Sequence, residues 1–92
     1  MANAIVTIKI MPESPDVDLD KLSPEIEGKI NSFAGEGDRR KEIQPIAFGL
    51  NALQIIFVMD EKKGSTEPLE EEISKIEGVQ SVEVVDVRRA IG

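Results

Sequence analysis

Hydrophobic and polar positions follow two different periods along the chain. Four segments are typical of strands: 5–11 is β-branched, 39–46 alternates weakly, 50–59 is the most apolar run, and 79–87 alternates. Between them, apolar residues recur every three or four positions, which marks one face of an amphipathic helix. The helical positions are Leu19, Leu22, Ile26, Ile30 and Phe33, and then Leu69, Ile73 and Ile76. The pattern therefore predicts the element order β-α-β-β-α-β.

The first predicted helix has a clear start and one internal conflict. Asp16 or Asp18 can accept hydrogen bonds from the first free backbone N–H groups. Pro24 has no backbone N–H and disturbs a helix interior. Two interpretations stay open: the helix restarts with Ser23 as its N-cap, or it kinks at the proline.

The second predicted helix begins after a polar loop. Ser65 or Thr66 can cap its start, with Pro68 in the first turn, and Gly78 is expected at its C-terminal end. After the last strand, residues 88–92 are expected to form a short tail.

Two strand–helix–strand halves favour one compact arrangement. A four-stranded antiparallel sheet with both helices on one face, the ferredoxin-like α+β sandwich, buries both apolar stripes. The apolar segments 5–11 and 50–59 suit the two central positions. Pro45 indicates that the second strand lies at a sheet edge, because proline cannot donate to a ladder. With 92 residues, we expect a single domain over 1–92.

Composition narrows the possible chemistry. The chain has no Cys and no His, which excludes disulfides, thiol nucleophiles and the commonest general base and metal ligand. The formal charge of −7 argues against bulk nucleic-acid binding. No apolar run reaches the length of a membrane span, and the N-terminus lacks the features of a signal peptide. We therefore expect a cytoplasmic protein that contacts neither nucleic acid nor membrane.

A few side chains stand out as candidates for binding. Phe48 is an aromatic in a predicted turn, so it is either an exposed anchor or a residue that folds back over the core. Continued alternation in the last strand would place Val85 and Val87 on one face and Arg88 on the other, with Arg89 at the strand end. The basic runs at 39–41, 62–63 and 88–89 are docking points or ordinary solvated charge, and composition alone favours the latter.

The acidic run Glu70–Glu72 has two interpretations. Carboxylates in sequence can bind a hard cation such as Mg²⁺. The solvated face of a helix, near the positive end of its dipole, is the simpler interpretation. We expect neither a metal nor a cofactor.

Two segments carry a resemblance to a known family. Residues 45–55 match the pattern P-I-x-F-G-[IL]-x-x-L-x-[IV], and residues 79–84 match V-Q-S-x-[DE]-[IV]. Together, and in register, they resemble the nucleotide-exchange domain of the elongation factor 1-beta family. The resemblance covers essentially the whole chain without an N-terminal extension, which is similar to the archaeal, stand-alone form.

The resemblance implies a fold, an activity and a set of contacts. The family fold is ferredoxin-like, and its activity is to release GDP from the GTPase elongation factor 1-alpha so that GTP binds, without covalent chemistry of its own. Phe48, followed by Gly49, corresponds to the aromatic that packs into the GTPase. Arg89 aligns with a basic residue, Lys in many relatives, that reaches the magnesium and phosphate region. Arg88 is the alternative for that role, and we expect a monomer.

One competing function shares the predicted fold. Ferredoxin-like domains often serve as regulatory modules that bind small ligands, and fold alone does not separate the two functions. An obligate dimer, or thermal protection by a small molecule, would favour the ligand-binding module. An RNA-binding module is disfavoured by the charge of −7 and by the lack of an aromatic-rich motif in the predicted central strands.

Overall fold

The architecture follows the predicted element order. The computed structural model describes residues 3–35, 37 and 39–90. Its helices and strands are β1 (Asn3–Pro12), α1 (Leu19–Ala34), β2 (Arg39–Pro45), β3 (Asn51–Asp60), α2 (Glu67–Ser74) and β4 (Val79–Ala90). Short 3₁₀ turns occupy Ala47–Gly49 and Glu61–Lys63. All strand pairs are antiparallel, in the order β2-β3-β1-β4. The ferredoxin-like fold, the central β1 and β3, and the edge position of Pro45 are confirmed.

The core lies between one face of the sheet and the two helices. Every second residue of β1, from Ala4 to Pro12, is buried, while the intervening ones are only half-buried. Val6 pairs with Phe57 and Ile8 with Ile55, so apolar side chains meet across the two central strands. The helices add their apolar stripes to the same core, which includes Leu22, Ile26, Ile30, Leu69, Ile73 and Ile76.

Helix α1 runs without interruption through its proline. Asp18 caps the helix, because its Oδ1 accepts a hydrogen bond from the Asp20 N–H at 3.0 Å. The predicted restart at Ser23 is wrong: Ser23 is a buried helical residue whose hydroxyl accepts a hydrogen bond from Lys41 Nζ at 3.1 Å. Pro24 removes one backbone donor near the start of a sixteen-residue helix. The apolar stripe stays buried on both sides of the proline, which favours continuing the helix.

At the start of α2, two neighbouring hydroxyl groups make different hydrogen bonds to the first turn. Thr66 stands at the N-cap position but makes no side-chain capping bond, and its hydroxyl donates instead to Glu70 Oε2 at 3.1 Å. The Ser65 hydroxyl accepts from the Glu67 N–H at 3.1 Å. Of the two predicted caps, Ser65 therefore satisfies a backbone donor.

Helix α2 is shorter than its apolar stripe suggests. The helix ends at Ser74, so the prediction that Gly78 terminates it is wrong. Ile76 nevertheless stays buried. It lies in a turn after the helix, in which its N–H donates to the Ile73 carbonyl at 3.0 Å. Within the described ranges, neither helix is long and apolar enough to cross a membrane.

Strand β4 is longer than predicted. Arg88 and Arg89, expected in a tail, are strand residues that pair with β1, and pairing continues to Ala90 opposite Asn3. The tail prediction is wrong for residues 88–90, and residues 91 and 92 lie outside the described part. The reason is tertiary: β1 begins at Asn3 and supplies a partner for every one of these positions.

An irregularity in β4 changes which side chains share a face. Thr7 pairs with Asp86 and Ile8 pairs with Val84, so Val85 is the extra residue of a β-bulge. Among the described residues, Val85 has no partner in β1, so the regular alternation on which the predicted shared face of Val85 and Val87 depended is interrupted at this residue. By register, Val84 and Val87 share the helix-covered face, and this shift decides where the following arginines lie.

Candidate functional site

The Ala47–Gly49 turn between β2 and β3, hereafter the aromatic turn, presents its aromatic side chain to solvent. Phe48 is 95% exposed, so the interpretation that it folds back over the core is wrong. The turn is closed by a hydrogen bond from the Ile46 N–H to the Leu50 carbonyl at 2.7 Å. Both Phe48 (φ 63°) and Gly49 (φ 75°) have left-handed backbones. Two successive left-handed residues are typical of tight hairpin turns.

The left-handed backbone of Phe48 carries a cost. Such a conformation is unfavourable by roughly 1–2 kcal/mol for an L-residue with a Cβ atom, and Gly49 avoids that cost. Because Phe48 is almost fully exposed, burial of its own ring within the chain does not offset the strain. An exposed aromatic on a strained backbone is the combination found at binding sites.

At the opposite end of the sheet, the two candidate arginines point away from each other. Arg89 pairs with Ala4, which is buried against the helices, and Arg88 pairs with Ile5 on the neighbouring face. Side chains at paired positions share a face, and successive ones alternate. Arg89 therefore lies on the helix-covered face and Arg88 on the open face, so the two alternatives would present different surfaces to a partner.

Each arginine is paired with a carboxylate. Arg89 Nε donates to Glu61 Oε1 at 2.8 Å, and Arg88 Nε donates to Asp86 Oδ2 at 2.9 Å. The hydrogen bond that Arg89 donates to Glu61, followed by the Coulombic attraction of that carboxylate, raises the pKa of Arg89, and desolvation opposes this shift. Both side chains remain mainly exposed, at 69% for Arg89 and 77% for Arg88. Both guanidinium groups are thus oriented by a carboxylate and accessible.

A groove of about 550 Å³ adjoins Arg89 on the helix-covered face. Its apolar lining comes from both central strands and from β4, and its polar rim includes the Glu61–Arg89 pair and the loop before α2. Val87 contributes an apolar side chain that is 59% exposed. The lining includes Ala4, Val6, Met59, Val87, Ser65 and Thr66.

Three basic runs that are far apart in sequence lie toward this end of the sheet, hereafter the basic end (Arg39–Lys41, Lys62–Lys63 and Arg88–Arg89), with β2 and β4 at its opposite edges. Residues 62 and 63 lie in the turn that follows β3. Arg39 pairs with Phe57, which pairs with Val6, which in turn pairs with Val87. The sequence pattern does not reveal this convergence, because it depends on the antiparallel order of all four strands.

The structure does not bring Phe48 and Arg89 together. The aromatic turn precedes Asn51, whereas Arg89 is level with Ala4 and hence with Met59 of β3. About eight residue steps separate those β3 positions, which at roughly 3.3 Å per residue is roughly 26 Å. The two candidate contacts therefore occupy opposite ends of a molecule whose longest dimension is 42 Å.

The acidic residues of α2 behave as surface charge. Glu71 and Glu72 are exposed, and Glu72 lies 3.7 Å from Lys29 of α1. Glu70 is half-buried and accepts the Thr66 hydroxyl. Across residues 3–35, 37 and 39–90, no three acidic side chains come close enough to hold a metal ion.

Comparison with known proteins gives a consistent family. Residues 5–90 match the family model described as the EF-1 guanine nucleotide exchange domain. An elongation factor 1-beta of Methanothermobacter thermautotrophicus is 50% identical over 91 residues, with 97% of this chain and 98% of the relative covered. The elongation factor 1-beta of Staphylothermus marinus is 44% identical over 92 residues, with coverage of 97% and 98%.

Solved structures share the fold at low sequence identity. The ACT domain from a GTP pyrophosphokinase of Chlorobium tepidum superposes with a TM-score of 0.56 at 24% identity, covering 90% of this chain and 99% of the other. The C-terminal domain of a cyclometallase involved in cofactor synthesis for lactate racemase gives 0.63 at 12% identity, with coverage of 99% and 58%. At these identities the likeness concerns the fold alone.

Proposed function

Because the chain belongs to the elongation factor 1-beta family, we propose that it accelerates GDP release from the GTPase elongation factor 1-alpha so that GTP can bind. The observation that carries the proposal is the exposed, strained Phe48 within the motif at residues 45–55. In this proposal the chain acts as one exchange domain and as a monomer. No bond is made or broken within it, so it works as a binding partner and not as a covalent catalyst.

Phe48 is the anchor of the complex. Its ring is presented before binding and gains burial only when a partner covers it, as aromatic hot spots at interfaces do. Gly49 permits the left-handed turn that projects the ring. The hairpin between two paired strands limits the movement of the ring, which reduces the entropy lost on binding.

Arg89 supplies positive charge at the other end. GDP bound to a GTPase is held by Mg²⁺ and by phosphate contacts at a helix N-terminus. A guanidinium competes with that cation for the same oxygen ligands and weakens the hold on the nucleotide. The neighbouring basic residues at 62–63 and 88 add to the local potential that favours approach to an acidic surface.

The distance between the two contacts shapes the proposed complex. Phe48 and Arg89 are separated by roughly 26 Å, taken from strand rise, so one small patch of partner surface does not touch both. The GTPase therefore contacts an elongated surface, with anchoring and nucleotide release at separate places. By linkage, the loss in GDP affinity caused by the factor equals the loss in factor affinity caused by GDP. A thousandfold effect requires about 4 kcal/mol of differential binding.

The direct test is release of a fluorescent GDP analogue from the matching elongation factor 1-alpha, with and without this protein. We expect strong acceleration by the wild type and only a small residual acceleration by the double variant Phe48→Ala/Arg89→Ala. A matched control is Val58→Ala/Lys75→Ala, which removes an exposed apolar side chain and an exposed cation elsewhere on the surface. That control should retain the wild-type rate.

Each other outcome has a defined meaning. Acceleration close to the wild-type rate in the double variant would keep the exchange function and move its site away from Phe48 and Arg89. A folded wild-type protein without any effect on GDP release would overturn the exchange function. Thermal stabilisation of that inactive protein by a small molecule would then support the ligand-binding module instead.

A further inference from the structure

The ion pair between Glu61 and Arg89 joins two segments that are distant in sequence. Glu61 opens the 3₁₀ turn after β3, and Arg89 lies near the end of β4. We propose that Glu61 is a positioning residue, which holds the guanidinium of Arg89 in the orientation from which its terminal nitrogens meet oxygen ligands on the GTPase. This role rests on the proposed exchange function, and it adds to the chain a carboxylate that neither sequence motif contains.

Glu61 is the better anchored member of the pair. Its side chain is 32% exposed, against 69% for Arg89. Its backbone is held in the 3₁₀ turn, where Asp60 Oδ1 accepts from the Lys62 N–H at 2.9 Å. The Gly64 N–H donates to the Glu61 carbonyl at 3.1 Å and closes the turn. A fixed carboxylate and a long exposed side chain imply that Glu61 orients Arg89 and not the reverse.

The nitrogen of the guanidinium that donates to Glu61 shows whether the contact positions Arg89 or blocks it. Glu61 accepts from Nε at 2.8 Å. A guanidinium has five N–H donors, and its two terminal nitrogens carry four of them, enough to bind a second carboxylate or phosphate bidentately. A contact that blocked Arg89 would occupy this terminal pair, here called the fork. The Nε contact leaves it to a second group of acceptors, so Arg89 can bind Glu61 and the partner at the same time.

The contribution of Glu61 is geometric. An arginine is protonated throughout the physiological range, and Glu61 raises the pKa of Arg89 further, so the carboxylate is not needed to keep the charge. What it restricts is the rotamer freedom of a long side chain. An arginine that is already oriented loses less entropy when the exchange complex forms around the nucleotide.

The experiment compares Glu61→Ala, which removes the acceptor, with Glu61→Gln, which keeps an oxygen at the same reach. We expect Glu61→Ala to lower the maximal rate of GDP release roughly two- to tenfold, the range for freeing one rotamer-rich side chain. The concentration of factor that gives half the maximal rate should stay unchanged, because Phe48 anchors the complex elsewhere. Glu61→Gln should recover part of the rate.

Two controls separate positioning from a general structural effect. Glu61→Ala should cause no further loss in an Arg89→Ala background, since its effect acts through Arg89. Glu72→Ala, which removes a carboxylate of another inter-element ion pair, should leave the rate unchanged. In nuclear magnetic resonance spectra, the Nε–H of Arg89 should exchange with solvent faster in Glu61→Ala than in the wild type.

The outcomes that overturn the role are equally specific. A faster rate in Glu61→Ala would identify the pair as an inhibitory contact. An unchanged rate, an equal further loss in the Arg89→Ala background, or unchanged Nε–H exchange would also overturn positioning. If the wild-type factor does not accelerate GDP release from the GTPase, both the exchange function and the role of Glu61 are overturned. If the wild type accelerates GDP release and Glu61→Ala does so at the same rate, only the role of Glu61 is overturned.

Discussion

The two ends of the sheet present opposite kinds of surface. In the aromatic turn, an apolar ring stands 95% exposed on a left-handed backbone. At the basic end, Arg89 extends from a regular strand and is already bonded to a carboxylate at 2.8 Å. The first surface is strained and its ring is uncovered in the free protein, whereas the second is relaxed and paired.

Under the proposed function, this contrast predicts that one end contributes to affinity for the GTPase and the other to the rate of GDP release. An exposed aromatic releases its hydration only when it is covered, so its contribution is affinity. A hydrated guanidinium gives up solvent and shares its carboxylate on binding, so its net contribution to affinity is small. Its charge instead acts on the ligands of the nucleotide. Under the proposed function, Phe48 sets how tightly the complex forms and Arg89 sets how fast GDP leaves.

Phe48→Ala tests the affinity side and should have the largest effect. We expect the half-saturating concentration of factor to rise roughly 30-fold or more, as for an interface hot spot of about 2 kcal/mol, with the maximal release rate retained. Titration of factor against GDP release measures both quantities. Val58→Ala, which truncates another exposed apolar side chain, is the matched control. A fall in maximal rate at unchanged half-saturation would break the comparison.

Arg89→Ala tests the rate side and should rank second. We expect the maximal release rate to fall roughly tenfold, equivalent to about 1.4 kcal/mol at the barrier, with little change in half-saturation. Arg88→Ala is the natural control, since it removes the same charge from the open face and should stay within about twofold of the wild type. The reverse ranking of the two arginines would place the open face against the nucleotide site.

Two turn variants test the strain, with a smaller effect. Gly49→Ala should destabilise the protein by about 1 kcal/mol, because alanine is strained at φ 75° although space is open around it. Phe48→Gly should leave stability equal or raise it by about 1 kcal/mol or less, since relief of strain is partly offset by greater freedom of the unfolded chain. Denaturant unfolding measures both. A marked loss of stability in Phe48→Gly would show that the ring supports the fold.

Ionic strength should have the smallest effect and should act at one end only. Raising salt from about 50 to 200 mM screens exposed charges and should slow release about twofold in the wild type. The Arg89→Ala variant should lose most of this dependence, whereas Phe48→Ala should keep it. Equal salt dependence in all three proteins would assign the electrostatic steering to other charges of this acidic chain.

The sequence predicts some features well because they depend on local periodicity. The apolar runs at 5–11 and 50–59 identify the central strands. A strand with a neighbour on each side exposes less of its side chains than an edge strand, so a long apolar run suits it better. Pro45 identifies an edge strand, because a residue without a backbone N–H cannot donate to a ladder and is therefore disfavoured in a central strand. Asp18 identifies a helix start because capping involves only neighbouring residues.

Other features were predicted wrongly because they depend on distant partners. The end of β4 follows from the pairing of Ala90 with Asn3, and the bulge at Val85 follows from the register against β1. For α1 the sequence left two interpretations of Pro24 open, and the helix that continues through it follows from burial of its stripe on the sheet. Each of these outcomes compares a local preference with a tertiary contact, and the contact prevails.

By itself, the sequence determined the order of elements, the central strands and the family motifs, because these are written in periodicity and local chemistry. Only the tertiary structure decided that Phe48 is exposed, that Arg88 and Arg89 lie on opposite faces, and that three basic runs share one end. It also brought Glu61 to Arg89 across 28 residues of chain. The physical reason is that strand register and sheet order set which distant side chains meet, and no local pattern specifies either one.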